Sequence, residues 1–129
     1  CDCRDFDLWV RLLDVYPDGR ALNVMSPGGD VVRASYVESG PLEPGRVYRL
    51  VLDRLLTANA FGAGHRLRVQ VSAAFVPHLS RNLQTGESEI RSAETRPARI
   101  RIHHSARYPS SLTLPVLPAE TRSADPAGE

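Results

Sequence analysis

The sequence has 129 residues, a length typical of one domain with a single hydrophobic core. Its 16 basic and 15 acidic residues give a net charge of +1, which argues against a general binder of nucleic acid or of anionic membranes. No window has the apolar length of a membrane span, and the charged opening "CDCRDFD" is unlike a signal peptide. We therefore expect a cytoplasmic protein that binds neither nucleic acid nor membrane.

The first predicted element is a β-strand in "FDLWVRLLDV". Alternate residues of this stretch form one fully apolar face, which consists of Phe6, Leu8, Val10 and Leu12. The other face is partly apolar and consists of Asp7, Trp9, Arg11 and Leu13. The next residues, "YPDGR", predict a tight hairpin turn, because proline presets φ, Asp18 bonds nearby backbone and Gly19 adopts the left-handed conformation.

Further short strands follow along the chain. Residues 21–25 predict a weaker strand, "SPGGD" a second turn, and "VVRASYV" the partner strand. "RVYRLVLDRLL" predicts a strand with Tyr48, Leu50 and Leu52 on one side, although residues 47–56 are also compatible with a helix. Alternation returns in residues 66–72, and again in "ARIRIHH" and "SLTLPVLP".

This pattern predicts the fold class. Short alternating strands separated by glycine and proline turns, without strand–helix–strand alternation, are typical of an all-β sandwich, which we place at residues 1–118. The tail, residues 119–129, is small, charged and rich in turn formers, so we predict that it is disordered. The connection from residue 75 to residue 97 is longer than a sandwich requires, and such loops are either functional or packed on a neighbour.

The sequence carries no pattern for enzyme chemistry. It has no nucleophile elbow and no phosphate-binding loop, and neither cysteine has a catalytic context. Cys1 and Cys3 are too close for a relaxed disulfide, and they lack the spacing with histidines that a metal site needs. We therefore predict no catalytic residue, no cofactor and no metal. Asp14 and Asp18 flank the hairpin, where we expect structural roles.

Five motifs together resemble a known family. These are "RLLDVYPDGRALNV", "PLEPGRVYRLVLD", "TANAFGAGHRLRVQVS", "FVPHLSRNLQTGE" and "YPSSLTLPVLP". In this order and at these distances they are similar to the C-terminal non-catalytic domain of the X-Pro dipeptidyl-peptidase and cocaine-esterase group of serine hydrolases. The resemblance runs from about residue 5 to residue 118 and departs from the family pattern at Ala73, Ala74 and Val76.

The resemblance implies a jelly-roll β-sandwich of galactose-binding-like shape, attached to an α/β-hydrolase domain that cleaves esters, amides or Xaa-Pro peptides. In that family the catalytic serine, aspartate and histidine lie upstream of this region, so none of them corresponds to a residue here. We therefore expect the chain by itself to be inactive. Its predicted partner is an α/β-hydrolase catalytic domain, in the same polypeptide or as a separate chain.

Four residues before the strand at residues 66–72 form a polar, glycine-rich cluster, namely Asn59, Gly62, Gly64 and His65. They match a family motif, but the motif belongs to a domain that performs no chemistry. We interpret them as a structural corner in which the glycines permit left-handed backbone and Asn59 and His65 satisfy amides at the strand end.

The leading functional hypothesis is an accessory domain that braces the catalytic domain and helps wall the substrate cleft. The predicted interdomain contacts are the apolar loop residues Phe75, Val76, Pro77 and Leu79. Two alternatives remain open. One is a free-standing carbohydrate-binding sandwich, in which Trp9 and Tyr36 would stack on a sugar. The other is a purely structural remnant.

The family sandwich has further strands upstream of "DFD", and these are absent from this sequence. We therefore predict a sandwich incomplete at its N-terminus, with "FDLWVRLLDV" as its open edge. An open edge pairs readily with another chain, which predicts a homodimer through this N-terminal strand.

Overall fold

The computed structural model describes residues 1–25 and 30–117. Within them it contains four β-strands and one single-turn helix. The strands are β1 (Asp7–Val15), β2 (Ala21–Asn23), β3 (Val31–Arg33) and β4 (Arg66–Ser72), and the helix is α1 (Ala34–Val37). This antiparallel, nearly helix-free architecture confirms the all-β class. The centre of the "SPGGD" turn and the tail at residues 119–129 lie outside the described residues.

The sheet is built around β1. One edge of β1 pairs with β4 along seven residues, from Trp9 opposite Ser72 to Val15 opposite Arg66. The other edge pairs with β3 near the start of β1 and with β2 near its end. The prediction that this strand is an open edge is therefore wrong, because the chain itself supplies partners on both sides. A homodimer through β1 has no free ladder edge on which to form.

Both faces of β1 are covered. Leu8 and Leu12 are buried on the face that the sequence predicts to be apolar, and Trp9, Leu13 and Val15 are buried on the opposite face. At one end Leu8 packs with Cys3, Phe6, Ala34 and Leu42 in a hydrophobic cluster. Two-sided burial is typical of a central strand.

The hairpin turn between β1 and β2 has the predicted chemistry. The N–H of Tyr16 donates to the carbonyl of Arg20 at 2.8 Å, and the N–H of Gly19 donates back to the carbonyl of Tyr16 at 2.9 Å. Gly19 has φ +90°, in the left-handed region that glycine populates without strain. The Asp18 carboxylate accepts the N–H of Arg20 at 3.0 Å, which satisfies an amide inside the turn.

Several predicted strands do not form. Residues 47–56, 98–104 and 111–117 contain no strand, and "VVRASYV" is a strand only to Arg33 before α1 begins. The alternation in 47–56 and 98–104 has another cause, since Tyr48, Leu50, Ala98 and Ile100 pack against the hydrophobic cluster without joining the ladder. β3 ends where the Asp5 carboxylate accepts the N–H of Ser35 at 3.0 Å. One-sided burial alone therefore produces a strand-like pattern.

Helical structure is confined to α1 in the part of the chain that the structure describes, and no helix there has the length and apolarity needed to cross a membrane.

Candidate interdomain surface

The loop that follows β4 is anchored by an aromatic stack. The ring of Phe75 lies on the ring of Trp9 with centroids 3.8 Å apart and planes 18° apart. Trp9 is itself fixed, because its indole N–H donates to the Asp30 carboxylate at 2.8 Å and the Arg11 guanidinium lies 4.4 Å from its ring centroid. Phe75, which we predicted as an interdomain contact, therefore holds the loop to the sheet from a half-buried position.

The residues after Phe75 face solvent. The N–H of Leu79 donates to the carbonyl of Phe75 at 3.0 Å and closes a compact turn, which we call the 75–79 turn. Val76 and Leu79 in this turn are 61% and 39% exposed. They border a cleft of about 440 Å³, whose other lining residues include Trp9, Phe75, Arg81, Asn82 and Arg96. The turn therefore presents apolar side chains to solvent beside a cleft.

A buried polar cluster fixes the second half of the same loop. We call it the Arg33 cluster, and it consists of Asp5, Asp7, Arg33, Asn82 and Glu89. The Arg33 guanidinium donates to both oxygens of Asp7, at 2.8 and 3.0 Å, and also to Glu89. The Asp5 carboxylate lies 3.7 Å from the same guanidinium. One cation thus joins β3, the segment before β1 and the loop.

Asn82 completes this cluster. Its amide nitrogen donates to Asp5 and to Asp7, both at 2.9 Å, and its carbonyl oxygen accepts the N–H of Gln84 at 2.7 Å. The side chain is buried, and these bonds satisfy both ends of its amide. Hydrogen bonds to Asp7 and Glu89 raise the pKa of Arg33, and the hydrogen bond from Arg33 lowers the pKa of Glu89. The ion pair between Arg33 and Glu89 thus favours the charged form of both groups.

The sequence did not reveal the Arg33 cluster. Asn82 is 77 residues from Asp5, and Glu89 is 56 residues from Arg33, so no local spacing connects them. A weak signal was available, because a strand start with two aspartates beside the apolar Phe6 requires a buried positive partner.

The corner before β4 is organised around a carboxylate. His65 donates from Nδ1 to the buried Asp14 carboxylate at 2.8 Å, and its ring lies 4.2 Å from that of Tyr16. Gly64 has φ +78°, and a Cβ on Gly62 would come within 3.0 Å of the His65 ring. A side chain at position 64 would strain the left-handed backbone, and a side chain at position 62 would crowd the packed imidazole.

Three of the four predicted corner residues therefore meet, whereas Asn59 lies exposed. His65 binds the Asp14 side chain rather than the strand-end amides that the sequence suggested. Among residues 1–25 and 30–117, no group of three or more metal-ligating side chains is arranged around a common centre. The assignment of these four residues before β4 as a structural corner stays a prediction.

Replacing His65 with alanine tests this assignment. We expect the free energy of unfolding to fall by about 1–2 kcal/mol, because the buried Asp14 carboxylate loses a hydrogen-bond donor. Chemical denaturation measures the loss, with the exposed His104→Ala as the matched control. Loss of turnover in a hydrolase that contains the domain, with stability unchanged, would instead make His65 part of a site.

The two cysteines differ in exposure. Cys3 is fully buried in the hydrophobic cluster, and this burial raises the pKa of its thiol. The thiol of Cys1 is half-buried and donates to the carbonyl of Cys3 at 3.2 Å. Cys3 is thus an apolar core residue, protected from thiolate chemistry.

Comparison with known proteins identifies relatives over most of the chain. Residues 1–113 match a family model described as the X-Pro dipeptidyl-peptidase C-terminal non-catalytic domain. The cocaine esterase of Rhodococcus sp. (strain MB1 Bresler) is 38% identical over 119 residues. That alignment covers 88% of this chain and 20% of the esterase, so the chain spans about one fifth of the length of this curated relative.

Proposed function

The chain belongs to the family of X-Pro dipeptidyl-peptidase C-terminal non-catalytic domains, and from this membership we propose that it braces the catalytic domain of an α/β-hydrolase and helps wall its substrate cleft. The parent enzyme would cleave esters or Xaa-Pro peptides. The chain contributes shape and contact surface, and the nucleophile comes from the catalytic domain.

The observation that carries this proposal is the exposure of apolar side chains on the 75–79 turn, which is anchored at both ends. Val76 and Leu79 are exposed although the residues on either side are fixed, by the Phe75–Trp9 stack before them and by the Arg33 cluster after them. A loop without a partner is normally polar and mobile, because exposed apolar groups gain nothing from order. Apolar side chains that an anchored turn holds exposed favour a contact with another domain.

The rim of the cleft suits such an interface. Arg81 and Arg96 line the cleft beside the apolar turn, and both are exposed. Contacts between domains of one protein are typically mixed, with an apolar centre and polar margins. The catalytic domain is thus expected to present an apolar patch flanked by acidic or carbonyl groups.

The two aromatic residues named for the carbohydrate-binding alternative differ, because Tyr36 is 78% exposed whereas Trp9 is packed. Trp9, the aromatic best suited to stack on a sugar, already contacts Phe75 and Arg11. We therefore place the accessory-domain hypothesis first, and saccharide binding by the isolated chain would favour the alternative.

Val76→Asp provides the test. In a hydrolase that contains or binds this domain, we expect the association of the two domains to weaken at least about tenfold, because a carboxylate would be buried without a partner. Analytical ultracentrifugation or calorimetry with the separately produced catalytic domain measures the change. Stability of the isolated chain should not change, since Val76 is exposed there.

The matched control is Ile90→Asp, which adds the same charge at a side chain that is 96% exposed and outside the cleft. It should leave association unchanged. Equal binding of the Val76→Asp variant and the unmodified chain would overturn the docking role of the turn.

A further inference from the structure

The wall of the 440 Å³ cleft is apolar but has no free aromatic face. The ring of Phe75 stacks on that of Trp9 with centroids 3.8 Å apart, and it also contacts the ring of His78 at 4.7 Å. The exposed apolar groups at the cleft are instead aliphatic, and they belong to Val76 and Leu79. Stacking on a flat ligand needs an open ring face, whereas aliphatic groups pack well on an alkyl chain. The wall therefore suits an alkyl chain.

Two guanidinium groups line the same cleft without an anionic partner. Arg81 and Arg96 are both exposed, and no carboxylate among residues 1–25 and 30–117 forms an ion pair with either. Arg96 is anchored, because its backbone N–H donates to Leu83 at 3.0 Å and one Nη donates to the carbonyl of Asp2 at 3.2 Å. Further N–H groups of both guanidiniums are thus available to an oxyanion, which such groups bind in a planar, two-pronged geometry.

The cleft has one acidic side chain among the lining residues that the structure describes, and this acid is already compensated. It is Asp7, whose two oxygens accept hydrogen bonds from Arg33 at 2.8 and 3.0 Å, and one of them also accepts from Asn82. Asp5 and Glu89, the other acids of the Arg33 cluster, do not line the cleft. The unpaired charge at the lining is therefore positive, which favours an anion there over a cation.

We propose that this cleft binds an alkyl carboxylate. Its carboxylate accepts hydrogen bonds from Arg81 and Arg96, and its alkyl chain lies along the exposed aliphatic groups of the 75–79 turn. The inference rests on the proposed function for the source of the ligand, because hydrolysis of an ester by the parent enzyme adds water across the acyl C–O bond and releases an alcohol, a carboxylate and a proton. The site selects the acid product, since an ester lacks the charge that the two guanidiniums recognise.

The position of the cleft agrees with this assignment. Ligand sites commonly lie between domains, and the 75–79 turn beside the cleft is the surface proposed to contact the catalytic domain. The anion that meets the two arginines would then be the carboxylate of the ligand rather than an acidic side chain of the catalytic domain.

Titration of the chain with three matched small molecules tests the proposal. Trp9 is the single tryptophan and lines the cleft, so its fluorescence reports occupancy. We expect hexanoate to bind saturably with a Kd of about 1 mM or below. Acetate has the charge without the chain, and hexanol has the chain without the charge. Each should bind at least about tenfold more weakly, because each lacks half of the recognised structure.

Two variants locate the carboxylate. Arg81→Gln and Arg96→Gln remove a positive charge while keeping a polar side chain, and each should weaken hexanoate binding by at least about fivefold. Hexanol binding should not change, because the alcohol carries no charge. The matched control is Arg54→Gln, whose side chain is exposed and outside the cleft, and it should leave both ligands unaffected. Urea unfolding of each variant shows whether the fold is retained.

Several results would overturn the proposal. These are a hexanoate titration without saturation, equal binding of hexanol or of acetate, and unchanged hexanoate binding in both cleft variants. An equal loss in Arg54→Gln would mean that the charge of the whole chain, rather than the cleft, attracts the anion. The titrations need no catalytic domain, whereas the Val76→Asp test measures association with that domain. Failure of either idea is therefore distinguishable from failure of the other.

Discussion

Replacing Arg33 with methionine is expected to lower the free energy of unfolding by about 3 kcal/mol, because it leaves a group of mostly buried carboxylates without their cation. Asp5 and Asp7 would then retain Asn82 as a donor, and Glu89 would lose the guanidinium. Urea denaturation monitored by Trp9 fluorescence measures the loss directly. The indole ring of Trp9 stacks on Phe75, which belongs to the loop that the Arg33 cluster anchors.

The matched control is Arg46→Met. Arg46 forms an exposed ion pair with Glu43 at 3.2 Å, and such pairs contribute about 0–1 kcal/mol. The same substitution at the two sites thus separates loss of a buried cation from loss of an arginine in general. Equal effects at both positions would contradict the role given to the Arg33 cluster.

Acid should weaken the same cluster. Arg33 lowers the pKa of Glu89 below its ordinary 4.5, so the folded state binds fewer protons than the unfolded state near that pH. The stabilisation from Glu89 is therefore complete above about pH 4.5 and is lost as the pH falls through the lowered pKa. In Arg33→Met this part of the acid sensitivity should disappear, because the carboxyl no longer has a guanidinium to favour its charge.

Local features of the fold were predictable from the sequence. The alternation in β1 and β4 and the Pro-Asp-Gly turn specify their own conformations, and the structure contains all three. Strand pairing is not local. Nothing within "FDLWVRLLDV" reports that β4 lies 50 residues away on one of its edges, so the interpretation of β1 as an open edge was wrong.

The candidate surface was only partly predictable. The apolar character of residues 75–79 drew attention to the loop, but the sequence did not distinguish the anchor, Phe75, from the exposed Val76 and Leu79. That distinction depends on Trp9, which comes from a distant strand. The sequence did not reveal the Arg33 cluster for the same reason, since the cluster joins distant segments through side chains alone.

The 75–79 turn and β4 connect through β1. Trp9, which holds the turn, is paired to Ser72 at the end of β4, so the segment from which the loop departs is fixed to the central strand.

Leu12→Ala is the second large effect, with an expected loss of about 3 kcal/mol in the free energy of unfolding, because truncating a side chain that is 4% exposed leaves a cavity in the core. The same substitution at Leu67 removes the same atoms from the same face of the sheet, where the side chain is 41% exposed. In the isolated chain, Leu67→Ala should cost less than about 1 kcal/mol. Chemical denaturation of both variants gives the two losses in the free energy of unfolding and so compares how well the two side chains are covered. Similar losses at the two positions would mean that the side chain of Leu67 is as well covered as that of Leu12.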